Sequence, residues 1–299
     1  MKFRKLGSTG LDVSVIGVGT WQFGGEWGKD FSQREVDDIL HKANELGINF
    51  IDTAECYGDH LSEKLIGGYL KNNKRNDWVV ATKFGHHFLN DGFKRADEWS
   101  ADDVVKQLDT SLAALQTEYI DLYQFHSGSD EVFNNDALWT ALDKQVQAGK
   151  VRHLGISISS KADTSYQVDS ATKVGAEVIQ VVYNRLDRKP EELFFPSAER
   201  QNLGVLARVP LASGYLSGKY KQGAVFAETD VRHGHDPKEV ARQLQLVEEI
   251  QKHEVPEGVN MAQWALAWCL KHPAVTLVIP GSKNVEQVTM NAKAAELVE

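Results

Sequence analysis

Asp52, Tyr57, Lys83 and His126 are the residues of this chain whose types fit together as one piece of chemistry. A tyrosine hydroxyl ordinarily titrates at about 10, too high for easy proton donation at neutral pH. An ammonium beside the phenol favours the phenolate and lowers that value, and a carboxylate holds and neutralises the ammonium. Lys83 and Asp52 supply those two charges, and His126 can orient a carbonyl or share the proton. A tyrosine acidified this way beside a carbonyl is a proton donor for reduction. Taken singly, each residue has an ordinary use: Asp52 caps a turn, Tyr57 is a surface aromatic, Lys83 is solvated, His126 is structural. Their joint placement is what favours the chemistry.

That placement depends on the elements beneath. Strand-like runs occur at 16–19, 49–53, 78–83, 119–126, 151–157, 177–183, 204–209 and 275–280. Most are continuous apolar stretches rich in β-branched residues, as expected of parallel strands covered on both faces. Helical patterns fill the gaps. Ser32 with Glu35 reads as a capping box ahead of Val36, Ile39, Leu40 and Ala43, and Gly47 stops that helix. Ser100 with Asp103 opens a second, Leu138, Leu142 and Val146 mark a third, and Asn260 with Gln263 opens a fourth; segments 62–72, 161–174 and 190–202 complete the alternation. Eight alternations predict an α/β fold, a closed (β/α)8 TIM barrel spanning residues 1–299 as a single domain. Asp52, Lys83 and His126 then end consecutive strands at one mouth, with Tyr57 in the loop above. The sequence FRKLGSTGLDVS predicts an N-terminal hairpin around Ser8, Thr9 and Gly10 closing the barrel bottom. After the seventh strand the rhythm breaks, and the long insertion at 213–237, followed by a helical segment at 238–252, is expected to form a lid.

Composition narrows the partners. The 299 residues are 42% hydrophobic and 25% charged, with a formal net charge of −9. An acidic chain is a poor candidate for nucleic acid or for an anionic membrane surface. Two cysteines, Cys56 and Cys269, exclude a disulfide scaffold and a cysteine-rich zinc site. With no apolar run behind MKFRKLGSTG, a cytoplasmic address is expected.

An ordered set of motifs extends these local patterns: IGVGTWQFGG, GINFIDTAECYG with SEKLIG, VVATK, YIDLYQFH, GKVRHLGIS, VIQVVYN, VPLASGYLSGKY and VIPGSKNVEQVTMN. Together they resemble the aldo-keto reductases, with details similar to bacterial members related to potassium-channel β subunits. The resemblance implies a (β/α)8 barrel that binds NADPH in extended form, and a tetrad of Asp52, Tyr57, Lys83 and His126 with Tyr57 as general acid. Ser157 and Gln180 correspond to residues holding the nicotinamide carboxamide. The segment Pro210, Leu211, Ser213, Gly214, Leu216, Gly218 and Lys219 corresponds to the one folding over the pyrophosphate. Ser282, Lys283, Gln287 and Asn291 correspond to the adenosine and 2′-phosphate site, and Gly19, Thr20, Trp21, Ile279 and Gly281 complete the cofactor contacts. A small-molecule carbonyl substrate follows.

Several positions depart from the family pattern. Ile158 follows Ser157 where Asn is usual, Arg208 stands where an aromatic often stacks on the nicotinamide, and Gln287 replaces a frequent Arg, leaving NADH as a second candidate cofactor. The loop after Tyr57 reads GDHLSE, which puts Asp59 and His60 at the pocket border. Trp21, Trp27 and Phe84 are candidate pocket walls. Other motifs fail: Gly17-Val-Gly19 lacks a third glycine, and GYLSGKY lacks the spacing and terminal Ser/Thr of a phosphate loop. His86-His87 and His233-Gly-His235 lack metal-ligand spacing and are expected in loops, so no metal is predicted. Cys56 is expected to be a packed thiol. Two other readings remain: a weakly catalytic cofactor-binding subunit that reports redox state to a partner, and a barrel enzyme of different, metal-dependent chemistry.

Overall fold

Eight parallel strands form the central sheet of the computed structural model, which describes residues 1–88, 95–160 and 164–298. In chain order the strands are β1 (Phe3–Lys5), β2 (Asp12–Ser14), β3 (Val18–Gly19), β4 (Phe50–Asp52), β5 (Val79–Phe84), β6 (His86–Phe88), β7 (Arg95–Asp97), β8 (Ile120–His126), β9 (Val151–Ser157), β10 (Ala176–Val182), β11 (Gly204–Arg208) and β12 (Leu277–Val278). The sheet runs β12-β11-β10-β9-β8-β5-β4-β3, and parallel bridges Ile16↔Val278 and Gly19↔Gly281 join its two edges. The sheet is therefore a closed barrel. Closure is tight at Gly19, where a Cβ would stand 2.5 Å from the Ile279 carbonyl oxygen.

Strand alternation decides what faces the axis. Phe50, Val79, Ala81, Leu122, Val178, Leu206, Leu277 and Ile279 pack together inside the barrel with Leu6 and Val13 of the hairpin β1–β2. This apolar plug fills the lower barrel. One pleat further along each strand, the same inward face presents Asp52, Lys83, Gln124 and His126, Gln180 and Arg208. The intervening residues, among them Ile51, Val80, Tyr123, Phe125, Ile156, Ile179 and Val205, face outward into the larger core beneath the helices. Polar chemistry at the mouth thus rests on a dry, rigid floor.

Helix Gln33–Glu45 begins with the full capping box of Ser32 and Glu35. Helices Leu61–Lys71, Ala101–Leu115, Asp136–Gln147 and Met261–Leu270 also fall where the patterns put them. Segment 161–174 begins outside the described residues and contains the short helix Ser165–Asp169. The insertion after β11 carries two 3₁₀ turns, Ala212–Ser217 and Val231–Gly234, then helix Pro237–His253. It is fastened across the mouth to the loop after β3. Trp27 bridges Asp230, the Val231 amide donates to the Glu26 carbonyl at 3.0 Å, and Arg232 lies over Trp27, Tyr220 and Phe226. One expectation fails here: His86 and His87 lie not in a loop but in β6, paired antiparallel with β7. No helix among the described residues is long and apolar enough to cross a membrane.

Candidate active site

Lys83, with no exposed surface, anchors the mouth. Its ammonium donates to Asp52 Oδ2 at 2.9 Å, to the Thr53 carbonyl at 2.7 Å and to Tyr57 Oη at 3.1 Å. All three ammonium protons are thereby committed. Burial opposes the charge on Lys83, but Asp52 and Tyr57 outweigh burial and its pKa lies above the ordinary value. Asp52 is held from its other side, where Oδ1 accepts from Gln180 Nε2 at 2.7 Å and Gln124 Nε2 at 3.3 Å. Gln124 is not among the residues expected at the site. It sits two residues before His126, so strand alternation puts both on the same inward face.

Tyr57 differs from expectation in one respect. Burial pushes its pKa up to about 12, with Lys83 only partly opposing that rise. The resting phenol is protonated, and because Lys83 occupies a lone pair on Oη, the hydroxyl hydrogen is left free to point into the cavity. Burial also drives His126 well below its ordinary range, reinforced by Lys83 and then by His86, Arg208 and Arg95. The imidazole is neutral. Its Nδ1 lies 3.7 Å from Cys56 Sγ, leaving Nε2 for a ligand. A neutral histidine here can orient an oxygen through Nε2.

These groups line a cavity of about 580 Å³. Trp21 stacks on Tyr57 with ring centroids 6.1 Å apart and meets Trp27 edge-on. The Trp21 indole donates to Glu26 Oε2 at 2.9 Å, and Arg95 Nη2 donates to both Glu26 oxygens. Arg95 arrives on β7, so the unanticipated β6–β7 pair contributes a cation to the wall, which His86 of β6 also lines. Phe84 is not a wall residue; it packs in the core against Tyr123 at 4.7 Å. Asp59 and His60 do not line the cavity, and His60 Nδ1 pairs with Glu63 at the start of helix Leu61–Lys71.

A second arm of the cavity runs beneath the insertion. Gly19, Thr20, Trp21, Asp52, Gln180, Arg208, Pro210, Leu211, Ser213, Gly214, Lys219, Ile279, Gly281, Lys283, Gln287 and Asn291 all border the space. The Thr20 hydroxyl is turned inward, donating to the Asp52 carbonyl at 2.8 Å. Four expected contacts do not reach the wall. Leu216 packs under helix Pro237–His253 with Val240, Leu244 and Met261, because the turn Ala212–Ser217 sends Ser213 and Gly214 one way and Leu216 the other. Gly218 ends that turn beside Met261. Ser282 is buried, its Oγ accepting from Asn291 Nδ2 at 3.0 Å. Ser157 is buried too, and its Oγ finds no hydrogen-bond partner among the described residues.

The far end of this arm is cationic. Lys283 donates to the Trp27 carbonyl at 2.8 Å, and burial, then Arg232, hold its pKa below the ordinary value while Lys219 and Lys29 add to the field. Asn284 caps helix Val285–Lys293, so a helix N-terminus faces the same region. A lysine held below its ordinary value by neighbouring cations marks a region that favours an anion.

Behind His126 lie two acids not anticipated as a pair. Ligand atoms of Glu55, Cys56 and His126 lie within 4.8 Å of one another. Burial, then Glu55, keeps the Cys56 thiol well above its ordinary pKa, and burial with the Glu63 charge lifts Glu55 to about 8. At neutral pH these groups hold protons. His233 and His235 bond instead to the Phe226 carbonyl and the Tyr215 hydroxyl. Because Glu55 is protonated more readily when folded, it disfavours the folded state increasingly as pH rises above its unfolded value, up to about 8, and then by a constant amount. Between pH 6 and 9, native protein should lose roughly 2–3 kcal/mol relative to Glu55→Gln. Urea unfolding at both pH values checks this; parallel curves for the two proteins would contradict it.

The description "Aldo/keto reductase family" matches residues 15–299. The chain belongs to the aldo/keto reductase family. It is 33% identical to "Uncharacterized oxidoreductase YqkF" of Bacillus subtilis (strain 168), covering 99% of this chain and 91% of that protein. It is 30% identical to "Probable voltage-gated potassium channel subunit beta" of Oryza sativa subsp. japonica, covering 100% and 92%. The solved "aldo-keto reductase AKR11C1 from Bacillus halodurans (holo form)" superposes with a TM-score of 0.82 at 30% identity, covering 99% of this chain and 91% of that one. As an aldo-keto reductase family member, the chain is an oxidoreductase, and the barrel closure seen above is the fold its structural neighbours share.

Proposed function

We propose that the whole chain acts as one NADPH-dependent reductase of aldehydes or ketones, with Tyr57 as the proton donor. The observation that carries this is the commitment of all three Lys83 protons, one of them to Tyr57 Oη, which makes that oxygen an acceptor and leaves its own hydrogen available to a ligand in the cavity. His126, neutral and fixed at Nδ1, offers Nε2 to the same carbonyl oxygen. Asp52 holds Lys83, and Lys83 stabilises the phenolate left once the proton has moved. Trp21 and Trp27 exclude water over the pair.

The cavity fits a dinucleotide. Arg208 Nε, in its wall, is a buried polar atom without a partner among the described residues, and Gln180, having donated to Asp52 and Gln124, keeps its Oε1 as an acceptor. Gln180 and Arg208 would hold the nicotinamide end, Ser213, Gly214 and Lys219 the pyrophosphate, and Lys283 with Gln287 the 2′-phosphate. When bound, the nicotinamide supplies the hydride that reaches the carbonyl carbon.

Titration with NADPH and NADH tests the assignment of the phosphate end. NADPH should bind more tightly, and Lys283→Met should weaken NADPH by about tenfold or more, the worth of one charge-assisted contact, with little change for NADH. Equal weakening of both nucleotides would contradict the assignment. The similarity to the rice channel-subunit relative favours a second reading, a cofactor-binding subunit with little turnover. Repeated NADPH oxidation with an aldehyde panel argues for the reductase, and one slow turnover with retained nucleotide for the subunit.

A further inference from the structure

Arg208 ends β11 with its side chain in the cavity that also meets Asp52, Tyr57, His126 and Gln180. The other cations around the chemical end are matched to acids: Lys83 with Asp52 and Arg95 with Glu26. Arg208 makes no ion pair among the described residues. Its Nη2 donates to the Ile158 carbonyl at 3.1 Å, and its Nε is buried without an acceptor. The backbone holds it there: Val209, a β-branched residue, sits at φ 54°, and Asn184 Nδ2 donates to the Val209 carbonyl at 3.1 Å. A strained conformation of this kind persists only where its surroundings enforce it.

The reacting carbonyl must meet Tyr57 Oη and His126, which with Lys83 occupy the mouth at β4, β5 and β8. A hydride donor facing that carbonyl is left the wall at β9, β10 and β11, where Gln180 and Arg208 stand. We propose that Arg208 makes the site discriminate between the oxidation states of the nicotinamide, accepting the neutral reduced ring and repelling the cationic oxidised one. The inference rests on the reductase reading above and adds a direction to it. A planar guanidinium stacks on either ring, but only the oxidised ring carries a like charge, and repulsion is strong where water is excluded. Oxidised cofactor should leave readily, and the site should favour carbonyl reduction over alcohol oxidation.

Dissociation constants for NADPH and NADP⁺, read from quenching of tryptophan fluorescence with Trp21 and Trp27 in the wall, test this in wild type, R208K, R208Q and R208Y. Wild type is expected to prefer NADPH at least tenfold. R208K should keep most of that preference. R208Q should shrink it about tenfold, chiefly through tighter NADP⁺. R208Y, a flat ring without the charge, gives the same test if R208Q fails to fold. A ratio unchanged between wild type and the uncharged variants, or equal weakening of both forms, would overturn the inference while leaving the reductase assignment intact. Failure of wild type to bind either form would overturn the reductase assignment itself.

Discussion

Tyr57→Phe is expected to lower kcat for aldehyde reduction by about 10²–10⁴-fold, the usual range for losing a general acid, while nucleotide affinity changes little. Only the hydroxyl is lost. The ring keeps its stacking on Trp21 at 6.1 Å, and Lys83 keeps its bonds to Asp52 and Thr53. With burial holding the phenol at about 12, a proton reaches the substrate oxygen only as that oxygen becomes strongly basic. The rate should therefore depend weakly on pH across the neutral range as far as Tyr57 is concerned. Steady-state kinetics beside a nucleotide titration separates the two effects. Full activity in Tyr57→Phe would remove the proposed donor, and a large loss of nucleotide affinity would make Tyr57 a binding residue.

Lys83→Met should damage both stability and turnover, for separable reasons. Removing the ammonium leaves the Asp52 carboxylate buried with only the two glutamine amides. Breaking one side of a buried pair typically destabilises by about 3–5 kcal/mol. The double variant Asp52→Asn with Lys83→Met removes both charges and should recover most of that stability. It should not recover activity, because the phenolate left on Tyr57 has lost the cation bonded to its oxygen. Urea unfolding of the single and double variants, with kcat measured on each, provides the comparison. Activity returning together with stability would mean that Lys83 serves only the fold.

What could be read from the residues alone follows from how a barrel is built. Parallel strands announce themselves as apolar runs, and their ends mark the mouth, so Asp52, Lys83 and His126 could be located without coordinates. Alternation inside YIDLYQFH also encodes Gln124, since Leu122, Gln124 and His126 share a face. Loops carry no such period. The antiparallel pair bringing Arg95 and His86 to the wall is made of two three-residue strands, and nothing in their spacing marks them. In VPLASGYLSGKY the motif is legible but the facing of its side chains is not, which is why Leu216 belongs to the core beneath the insertion while Ser213 and Gly214 border the cavity. Burial is the other hidden quantity. A lysine beside a tyrosine suggests a lowered phenol pKa, but the depth of the site reverses the sign, and the same depth lifts Glu55, which sequence context marks only as an acid in a loop.

The central claim is that hydride from a bound nicotinamide reaches a carbonyl carbon at this mouth. NADPH deuterated at the transferring position of C4 tests it most directly, mixed with the enzyme and an aldehyde panel, with the alcohol examined by mass spectrometry and NMR. The account predicts one deuterium on the carbinol carbon, with no label lost to water, and loss of the labelled alcohol in Tyr57→Phe. Unlabelled alcohol, or nucleotide bound without any alcohol formed across the panel, would contradict it.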